Sequence, residues 1–531
     1  MNVAEIVGKT LAELGVAQAF GVVGSGNFDV TNALRAHGVP FVATRHEAGA
    51  ATMADAYGRM SGRVALVSLH QGCGLTNAMT GITEAAKART PMIVLTADTP
   101  GSAVLANFRI DQDSAVIAVG ATSERVHSAE TAVADTVRAY RTAVHERRTV
   151  VLNLPLDVQA APAVPATFSP VEPLLPMRPN RKAVEDLAAM IEQAQRPVFI
   201  AGRGARGAAK ELRELAAKTG ALLATTAVAH GLFHDDPWSL GISGGFSSSL
   251  AADLITEADL VVGWGSAFTK WTTRRGKLLT GTTAQVDIGG QAHQPVDLVV
   301  QGDAGQTAQD VTELVTVREG YRSDSVQSRL AAGPGWPVPD LSTDTHIDPR
   351  ELTARLDELL PRDRLVSVDS GNFMGYPSAY LSVPDEFGYC MTQSFQSIGL
   401  GLFTAIGAAL ARPDRLPVAA VGDGGFMMSI AELETVVRLK LPMVIVVYND
   451  SAYGAEIHHF GHDADLSTVV FPDPGIAEIA RGFGCAALTV HGVGDLDGVA
   501  EWVDGPRDRP LLIDAKIASD GGSWWLAEAF G

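Results

Sequence analysis

Short apolar runs and amphipathic stretches alternate along this chain. Residues 416–421 and 442–448 are typical of buried strands, and residues 430–439 between them have the apolar spacing of an amphipathic helix. Nearer the start, residues 40–43 predict a strand and residues 44–59 predict a helix. Because strands that alternate with helices favour parallel sheets, we predict an α/β protein.

Two proline-rich stretches divide this pattern into three segments. Residues 158–181 are rich in proline and alanine, as is typical of an extended linker. A second break at residues 322–348 includes Gly333-Pro334-Gly335-Trp336-Pro337-Val338-Pro339, a composition that disfavours regular structure. We therefore predict domains at residues 1–160, 183–321 and 348–531, with linkers at residues 161–182 and 322–347.

Length, charge and cysteine content exclude several classes of protein. A chain of 531 residues is too long for one hydrophobic core, which supports the division into domains. The net charge of −19 argues against binding to nucleic acid or to an anionic membrane surface. The cysteines are Cys73, Cys390 and Cys485, too few and too far apart for a disulfide framework or a zinc site. The first residues lack the basic and apolar regions of a signal peptide, so we predict a cytoplasmic protein.

The strongest chemical signal is Gly422-Asp423-Gly424-Gly425, directly after a predicted strand. Asp423 offers a hard oxygen ligand, and the glycines allow backbone N–H groups to approach phosphate oxygens at the start of a helix. The next strand delivers Asn449 and Asp450 at its carboxyl end, where open α/β sheets bind ligands. Gly-Asp-Gly alone is also a common turn. The two elements together predict a site for a metal-bound diphosphate.

This pattern resembles the thiamin diphosphate signature of the acetolactate synthase, benzoylformate decarboxylase and pyruvate decarboxylase superfamily, over nearly the whole chain. The resemblance implies that Mg²⁺ is held by the side chains of Asp423 and Asp450 and by the backbone carbonyl of Ala452. Asp450 stands where asparagine is usual. The resemblance also implies three domains with parallel sheets flanked by helices, two thiamin-diphosphate-binding folds around a Rossmann-like central domain. It further implies a homodimer or homotetramer with its sites at a subunit interface.

A second element near the start, Thr44-Arg45-His46-Glu47-Ala48-Gly49-Ala50, resembles the glutamate segment of that superfamily. Glu47 would hydrogen-bond the pyrimidine N1′ of the cofactor and favour its imino tautomer. Alone, Glu47 could be a first-turn glutamate favoured by the helix dipole. A catalytically inactive relative that serves as a scaffold would be expected to lose Glu47, Asp423 or the second metal ligand, and this chain keeps all three.

Other residues resemble parts of the same site. His70 corresponds to a proton-transferring histidine of benzoylformate decarboxylase, and Ser25 to a substrate-contacting serine; either could instead be an ordinary residue at a strand end or turn. Ile398 matches the apolar residue that supports the bent cofactor in pyruvate decarboxylases. Glu456 matches their second glutamate but lacks the paired histidines that accompany it. The remaining predicted cofactor contacts are Gly371, Asn372, Gly422, Gly424, Gly425, Tyr453 and Gly454.

The middle segment contains Gly202-Arg203-Gly204-Ala205-Arg206-Gly207 after a predicted strand, which matches the GxGxxG dinucleotide fingerprint. The next predicted strand ends in Thr226 and Ala227, without the acid that would bind a ribose hydroxyl. Some acetolactate synthase relatives hold FAD in this region. FAD is therefore possible but not supported, and a nucleotide-dependent oxidoreductase is disfavoured.

The resemblance implies an enzyme that forms an enamine from a pyruvate-like 2-oxo acid and transfers the acyl unit to a second carbonyl compound. Such an enzyme would be an acetolactate-synthase-like carboligase or lyase. The alternative is a 2-oxo acid decarboxylase of the benzoylformate or pyruvate type, which releases an aldehyde. No motif in the sequence fixes the 2-oxo acid or the acceptor.

Overall fold

The computed structural model describes residues 1–289, 291–333, 341–461, 463–519 and 523–526. Within these residues the strands form three six-stranded parallel sheets with helices packed against them. The prediction of a three-domain α/β protein is confirmed. All three prolines of the second predicted linker, Pro334, Pro337 and Pro339, lie outside the described residues.

The amino-terminal sheet contains β1 (Gln18–Gly21), β2 (Phe41–Ala43), β3 (Ala65–Leu69), β4 (Met92–Asp98), β5 (Thr122–Arg125) and β6 (Thr149–Pro155), in the order β2-β1-β3-β4-β6-β5. Its helices are α1 (Val3–Glu13), α2 (Phe28–Ala36), α3 (Glu47–Ser61), α4 (Cys73–Lys87), α5 (Gln112–Ala118), α6 (Ala132–His145) and α7 (Leu156–Ala160). β3, β4 and β6 are buried along their whole length, which explains why they are continuous apolar runs.

The central sheet contains β7 (Pro197–Ala201), β8 (Leu222–Thr225), β9 (Ser239–Ile242), β10 (Leu260–Trp264), β11 (Thr282–Asp287) and β12 (Leu298–Gln301), in the order β12-β11-β10-β7-β8-β9. Its helices are α8 (Arg181–Gln193), α9 (Ala209–Thr219), α10 (Ser249–Thr256), α11 (Ala304–Leu314) and α12 (Asp324–Ala331). This order is that of a Rossmann fold, with its switch point between β7 and β10.

The carboxy-terminal sheet contains β13 (Arg364–Val368), β14 (Tyr389–Met391), β15 (Leu416–Gly422), β16 (Val444–Asn449), β17 (Ala486–Val490) and β18 (Leu511–Lys516), in the order β14-β13-β15-β16-β18-β17. Its helices are α13 (Pro349–Leu359), α14 (Gly375–Tyr380), α15 (Gly401–Ala411), α16 (Asp423–Ser429), α17 (Leu433–Arg438), α18 (Gly454–Phe460), α19 (Ile476–Phe483) and α20 (Asp497–Asp504). Counted from its first strand, this sheet repeats the order of the amino-terminal sheet. The two outer domains therefore share one fold.

Two predicted segments differ from the structure. The single helix expected at residues 430–439 is a 3₁₀ turn (Ile430–Glu432) followed by α17, because the Gly-Asp-Gly turn itself already starts a helix, α16. Within the predicted second linker, α12 forms because Ser323 caps its first turn and Val326 is buried. The exact domain boundaries remain predictions.

The outer domains pack together through α3 and α15. A Cβ atom on Gly407 would lie only 2.2 Å from the carbonyl oxygen of Met53, so the two helices approach closely there. One hydrophobic core cluster contains residues of both helices. Within one chain, the helix that begins at Glu47 is therefore fixed against the carboxy-terminal domain.

Candidate active site

Asp423 and Asp450 lie side by side at the carboxyl edge of the third sheet. Asp423 begins α16 directly after β15, and Asp450 follows the neighbouring strand β16. Their carboxyl groups are within hydrogen-bonding reach, and burial together with this proximity raises the pKa of Asp450, while burial raises that of Asp423. A divalent cation would relieve the repulsion of such a pair, so the donor set fits Mg²⁺.

The predicted glycines pack tightly around this pair. A Cβ atom on Gly424 would lie 2.5 Å from the ring of Tyr453, and one on Gly454 would lie 2.2 Å from Oδ2 of Asp450. A Cβ atom on Gly422 would lie 3.2 Å from the ring of Phe373. Because glycine has no side chain, the start of α16 and the loop after β16 can approach each other closely. Their backbone N–H groups would then be available to a diphosphate.

The loop after β13 joins the same cluster. Gly371 has a φ of 147°, which L residues rarely adopt, and it leads into a 3₁₀ turn, Asn372–Met374. The side chain of Asn372 lies 3.3 Å from the Cβ position of Gly454 and accepts a 2.7 Å hydrogen bond from Ser523. Asn372 and Asp450 thus lie on either side of Gly454, and the roles of Gly371 and Asn372 as cofactor contacts stay a prediction.

Asp369 is a central residue of this site that sequence reasoning missed. It is buried at the end of β13 and accepts hydrogen bonds from the backbone N–H groups of Ser370 (2.8 Å), Gly399 (2.9 Å) and Leu400 (3.2 Å). Burial raises the pKa of Asp369 to about 6. Its position could have been recognised, because it is a polar residue at the carboxyl end of a buried strand.

Next to Asp450, Asn449 belongs to a second polar group, whose other members, Asp473, Asp514 and Lys516, were not predicted from the sequence. Asn449 donates a 2.8 Å hydrogen bond to buried Asp514, and it accepts one of 3.0 Å from the backbone N–H of Ser451. Lys516 pairs with Asp514 at 2.9 Å and with Asp473 at 2.6 Å. Asn449 therefore orients the loop that presents Asp450, and Lys516 balances the nearby acids.

Glu47 is the first residue of α3 and is partly exposed. Its Oε2 accepts a 3.1 Å hydrogen bond from the amide of Asn77 on α4. Just before it, Oε1 of Glu432 accepts hydrogen bonds from the backbone N–H groups of Arg45 (2.8 Å) and His46 (3.1 Å). Both Asn77 and Glu432 are far from Glu47 in sequence, so no local pattern could identify them.

His70 lies close to Glu47 in the amino-terminal domain. A Cβ atom on Gly74 would be 3.2 Å from Cβ of His70 and 3.8 Å from Oε1 of Glu47, so these two side chains flank the same glycine. Nδ1 of His70 is 3.0 Å from the carbonyl of Gln71, which favours a proton on Nδ1 and a free lone pair on Nε2. The ring of Phe108 packs edge-on against the imidazole at 4.9 Å between ring centroids.

Three predicted site residues, Ser25, Ile398 and Glu456, are exposed or partly exposed. Ser25 is exposed in the turn between β1 and α2, next to Gly24, whose Cβ position would be 2.6 Å from the ring of His70. Ile398 is partly exposed rather than buried, because the loop before it lies at the surface. Glu456 is partly exposed in the first turn of α18. The carbonyl of Ala452 belongs to a buried residue beside Asp450.

Among the described residues, no group of three or more histidine, cysteine, aspartate or glutamate side chains could hold a metal. The third protein ligand that we predict, the backbone carbonyl of Ala452, is not one of these side chains and stays a prediction. His458 and His462 are four positions apart, a spacing that also occurs in metal sites, but His462 lies outside the described residues.

The GxGxxG segment has a structural use. Its Gly204 packs against Gly265 after β10, where a Cβ atom would lie 2.9 Å from Cα of Gly265. Arg206 donates a 3.1 Å hydrogen bond to the carbonyl of Arg59, and Arg203 donates to the carbonyl of Ala88, both in the amino-terminal domain. These glycines and arginines join two strands and two domains, and they give FAD no added support.

Three family models match the chain in the same order as its sheets. They are the thiamine pyrophosphate enzyme N-terminal TPP binding domain at residues 1–115, the central domain at residues 184–311 and the C-terminal TPP binding domain at residues 369–515. The fold and these matches define a thiamin diphosphate-dependent enzyme. The chain belongs to the superfamily of acetolactate synthases and related decarboxylases, which confirms the resemblance.

Relatives with curated names differ in their reactions. The chain is 29% identical to a probable 2-ketoarginine decarboxylase of Pseudomonas aeruginosa, over 92% of this chain and 89% of that protein. It is 27% identical to a sulfoacetaldehyde acetyltransferase of Alcaligenes xylosoxydans xylosoxydans, over 86% and 82% respectively. It is 25% identical to chloroplastic acetolactate synthase 2 of Zea mays, over 97% and 85%. Relatives at this level of similarity include both lyases and transferases.

None of the helices in the described part of the chain has the length and apolar character needed to cross a membrane.

Proposed function

We propose that this protein uses thiamin diphosphate and Mg²⁺ to activate a pyruvate-like 2-oxo acid and to transfer its acyl unit to a second carbonyl compound. The observation that carries the proposal is the pair of adjacent carboxyl groups, Asp423 and Asp450, within a cradle of glycines. Glu47 and His70, which flank Gly74 in the amino-terminal domain, supply the acid and base groups.

Each residue has a defined task in this proposal. Asp423, Asp450 and the carbonyl of Ala452 would bind Mg²⁺, and the backbone N–H groups of Gly424 and Gly425 would hold the diphosphate. Ile398 supports the rings of the cofactor. The bound cofactor supplies the electron sink that allows a 2-oxo acid to lose CO₂.

The acid and base groups then handle protons. Glu47, held by Asn77, binds a proton at the pyrimidine edge of the cofactor. His70 has its Nε2 lone pair free to take a proton near the substrate carbonyl. Ser25 and Glu456 are the remaining candidates for substrate contact, Ser25 because it lies beside His70 and Glu456 because its helix starts next to Asp450.

Decarboxylation without acyl transfer is a second candidate function. Ile398 and His70 both match residues of decarboxylases, and the relative from Pseudomonas aeruginosa is named as one. Simple decarboxylation to an aldehyde is therefore the alternative. Product analysis separates the two, with pyruvate and benzoylformate as substrates and with or without an aldehyde or ketone acceptor. A 2-hydroxy ketone or 2-hydroxy acid, formed with an added acceptor or from two molecules of pyruvate, supports transfer, and an aldehyde formed regardless of the acceptor supports decarboxylation.

A homodimer or homotetramer forms part of the proposal. Large apolar side chains are exposed on both outer domains near the two halves of the site, namely Val23, Phe28, Val104, Leu105, Phe108, Phe395, Met427, Met428, Phe460, Val470 and Phe471. Exposed apolar surface of this extent marks an interface. Association would join Glu47 of one subunit to the metal-binding cradle of another, and we expect such an assembly in the cytoplasm.

A further inference from the structure

Glu84 of α4 is completely buried and joins the amino-terminal domain to a loop of the carboxy-terminal domain. Its Oε1 accepts a 3.0 Å hydrogen bond from the backbone N–H of Ser394, and its Oε2 accepts one of 2.6 Å from that of Phe395. Arg59 pairs with Oε1 at 2.7 Å and donates a 2.9 Å hydrogen bond to the carbonyl of Met391. One acid and one base of the first domain thus bind the end of β14 and two residues of the loop that follows it.

Other side-chain contacts of this loop include a 2.7 Å hydrogen bond between Thr392 and Thr404 and the Lys87 ammonium 5.9 Å from the ring centroid of Phe395. Ser394, Phe395 and Gln396 are exposed, and Gln396 has a φ of 62°, which is uncommon for a residue other than glycine. The loop carries Ile398 and ends at Gly399, which Asp369 binds. Hydrogen bonds to Glu84 on one side and to Asp369 on the other therefore fix the segment that presents Ile398.

The charge of Glu84 is balanced partly by the loop itself. Arg59 is shared with a second buried acid, Asp55, at 2.6 Å, so one guanidinium serves two carboxylates. The two backbone N–H groups of the loop supply the remaining compensation for Glu84. Because a buried carboxylate is costly without such donors, displacement of the loop would leave the acid unsatisfied. The loop and the ion group consequently hold each other in place.

We propose that Glu84 is a positioning residue that sets the affinity for thiamin diphosphate by fixing the loop that carries Ile398. The inference rests on the proposed function. Glu84 itself lies behind the loop and acts through it.

The test compares Glu84→Gln with Thr90→Val by calorimetric titration of thiamin diphosphate in Mg²⁺. Thr90 is buried and donates a 2.5 Å hydrogen bond to Asp55, so its substitution disturbs the same ion group without touching the loop. We expect Glu84→Gln to weaken binding at least about tenfold, since it replaces hydrogen bonds to a charged group. Thr90→Val should lower the melting temperature but bind the cofactor like the wild type. At saturating cofactor, Glu84→Gln should recover most of the wild-type kcat.

The outcomes separate this inference from the proposed function. If the wild type binds the cofactor and Glu84→Gln binds it equally well, or if Thr90→Val weakens binding as much, the positioning role is wrong. Failure of the wild type to bind would instead overturn the proposed function. Should Glu84→Gln not fold, amide hydrogen exchange of the wild-type chain decides: the Ser394 and Phe395 amides should be protected without cofactor, and rapid exchange of both contradicts the inference.

Discussion

Asn77 donates a 3.1 Å hydrogen bond from its side-chain amide to Oε2 of Glu47, linking the second turn of α4 to the first residue of α3. This hydrogen bond orients the carboxyl group of Glu47 through a residue of another helix. Glu47 and His70 also lie on either side of Gly74, so the two acid and base groups are close together.

Replacement of Glu47 tests its role as the acid and base partner of the cofactor. Glu47→Gln should preserve the fold and cofactor binding but lower turnover by about a hundredfold or more, as is typical when a general acid or base is removed. Asn77→Ala should lower kcat by roughly tenfold, because the carboxyl group loses one directing hydrogen bond. Steady-state rates measure both, with exposed Thr76→Ala as the control. Near-normal turnover of Glu47→Gln would assign the proton to another group.

The glycine cradle can be tested by adding a single methyl group. A Cβ atom on Gly425 would lie 2.5 Å from Oδ2 of Asp369, whereas one on Gly207 would have no atom within 4 Å. Gly425→Ala should therefore weaken thiamin diphosphate binding by about tenfold or more and lower the melting temperature. Gly207→Ala, in the dinucleotide-like segment, should change neither quantity. Equal behaviour of the two variants would place the cofactor away from Gly425.

The buried carboxyl group of Asp369 predicts a pH-dependent contribution to stability. Burial raises its pKa to about 6, above the value of about 3.9 in an unfolded chain. The unfolded chain loses this proton first as pH rises, so the contribution is fully present below about pH 4 and falls by roughly 3 kcal/mol as pH passes through 6.

Urea unfolding of the wild type and Asp369→Asn across this pH range isolates the contribution. Asparagine does not titrate, so the wild type should be more stable relative to the variant at low pH than at neutral pH. A constant difference between the two proteins would show that Asp369 ionises at an ordinary pKa.

Leu105 tests the proposed association of subunits. It is 93% exposed on the loop after β4, near Phe108 of the pocket. Leu105→Glu should shift the protein toward monomers in analytical ultracentrifugation and reduce turnover, because a charge would enter the interface. Leu175, 91% exposed between α7 and α8, provides the matched control as Leu175→Glu. Dissociation by both variants, or by neither, would contradict the assigned interface.

Local patterns in the sequence were sufficient for the fold but only for part of the site. Asp423, Asp450 and their glycines follow strand ends, where hydrophobic periodicity and ligand chemistry coincide, and the structure brings them together. Asp369 obeys the same rule and could have been found. Glu84 and Glu432 could not, since each acts across a domain boundary on backbone groups hundreds of residues away. Ile398 is partly exposed because the loop that carries it lies at the surface, and its apolar character alone does not reveal this.

The most direct test of the account is calorimetric titration of thiamin diphosphate into the wild type and Asp423→Ala, each with and without Mg²⁺. Asp423 is buried beside Asp450. Its replacement by alanine would remove one of the two carboxylate ligands that we predict for Mg²⁺. We expect saturable binding by the wild type only when Mg²⁺ is present, and no such binding by Asp423→Ala. Binding that is independent of Mg²⁺ and unchanged in the variant, or no binding by the wild type, would show that the cofactor site is not at Asp423.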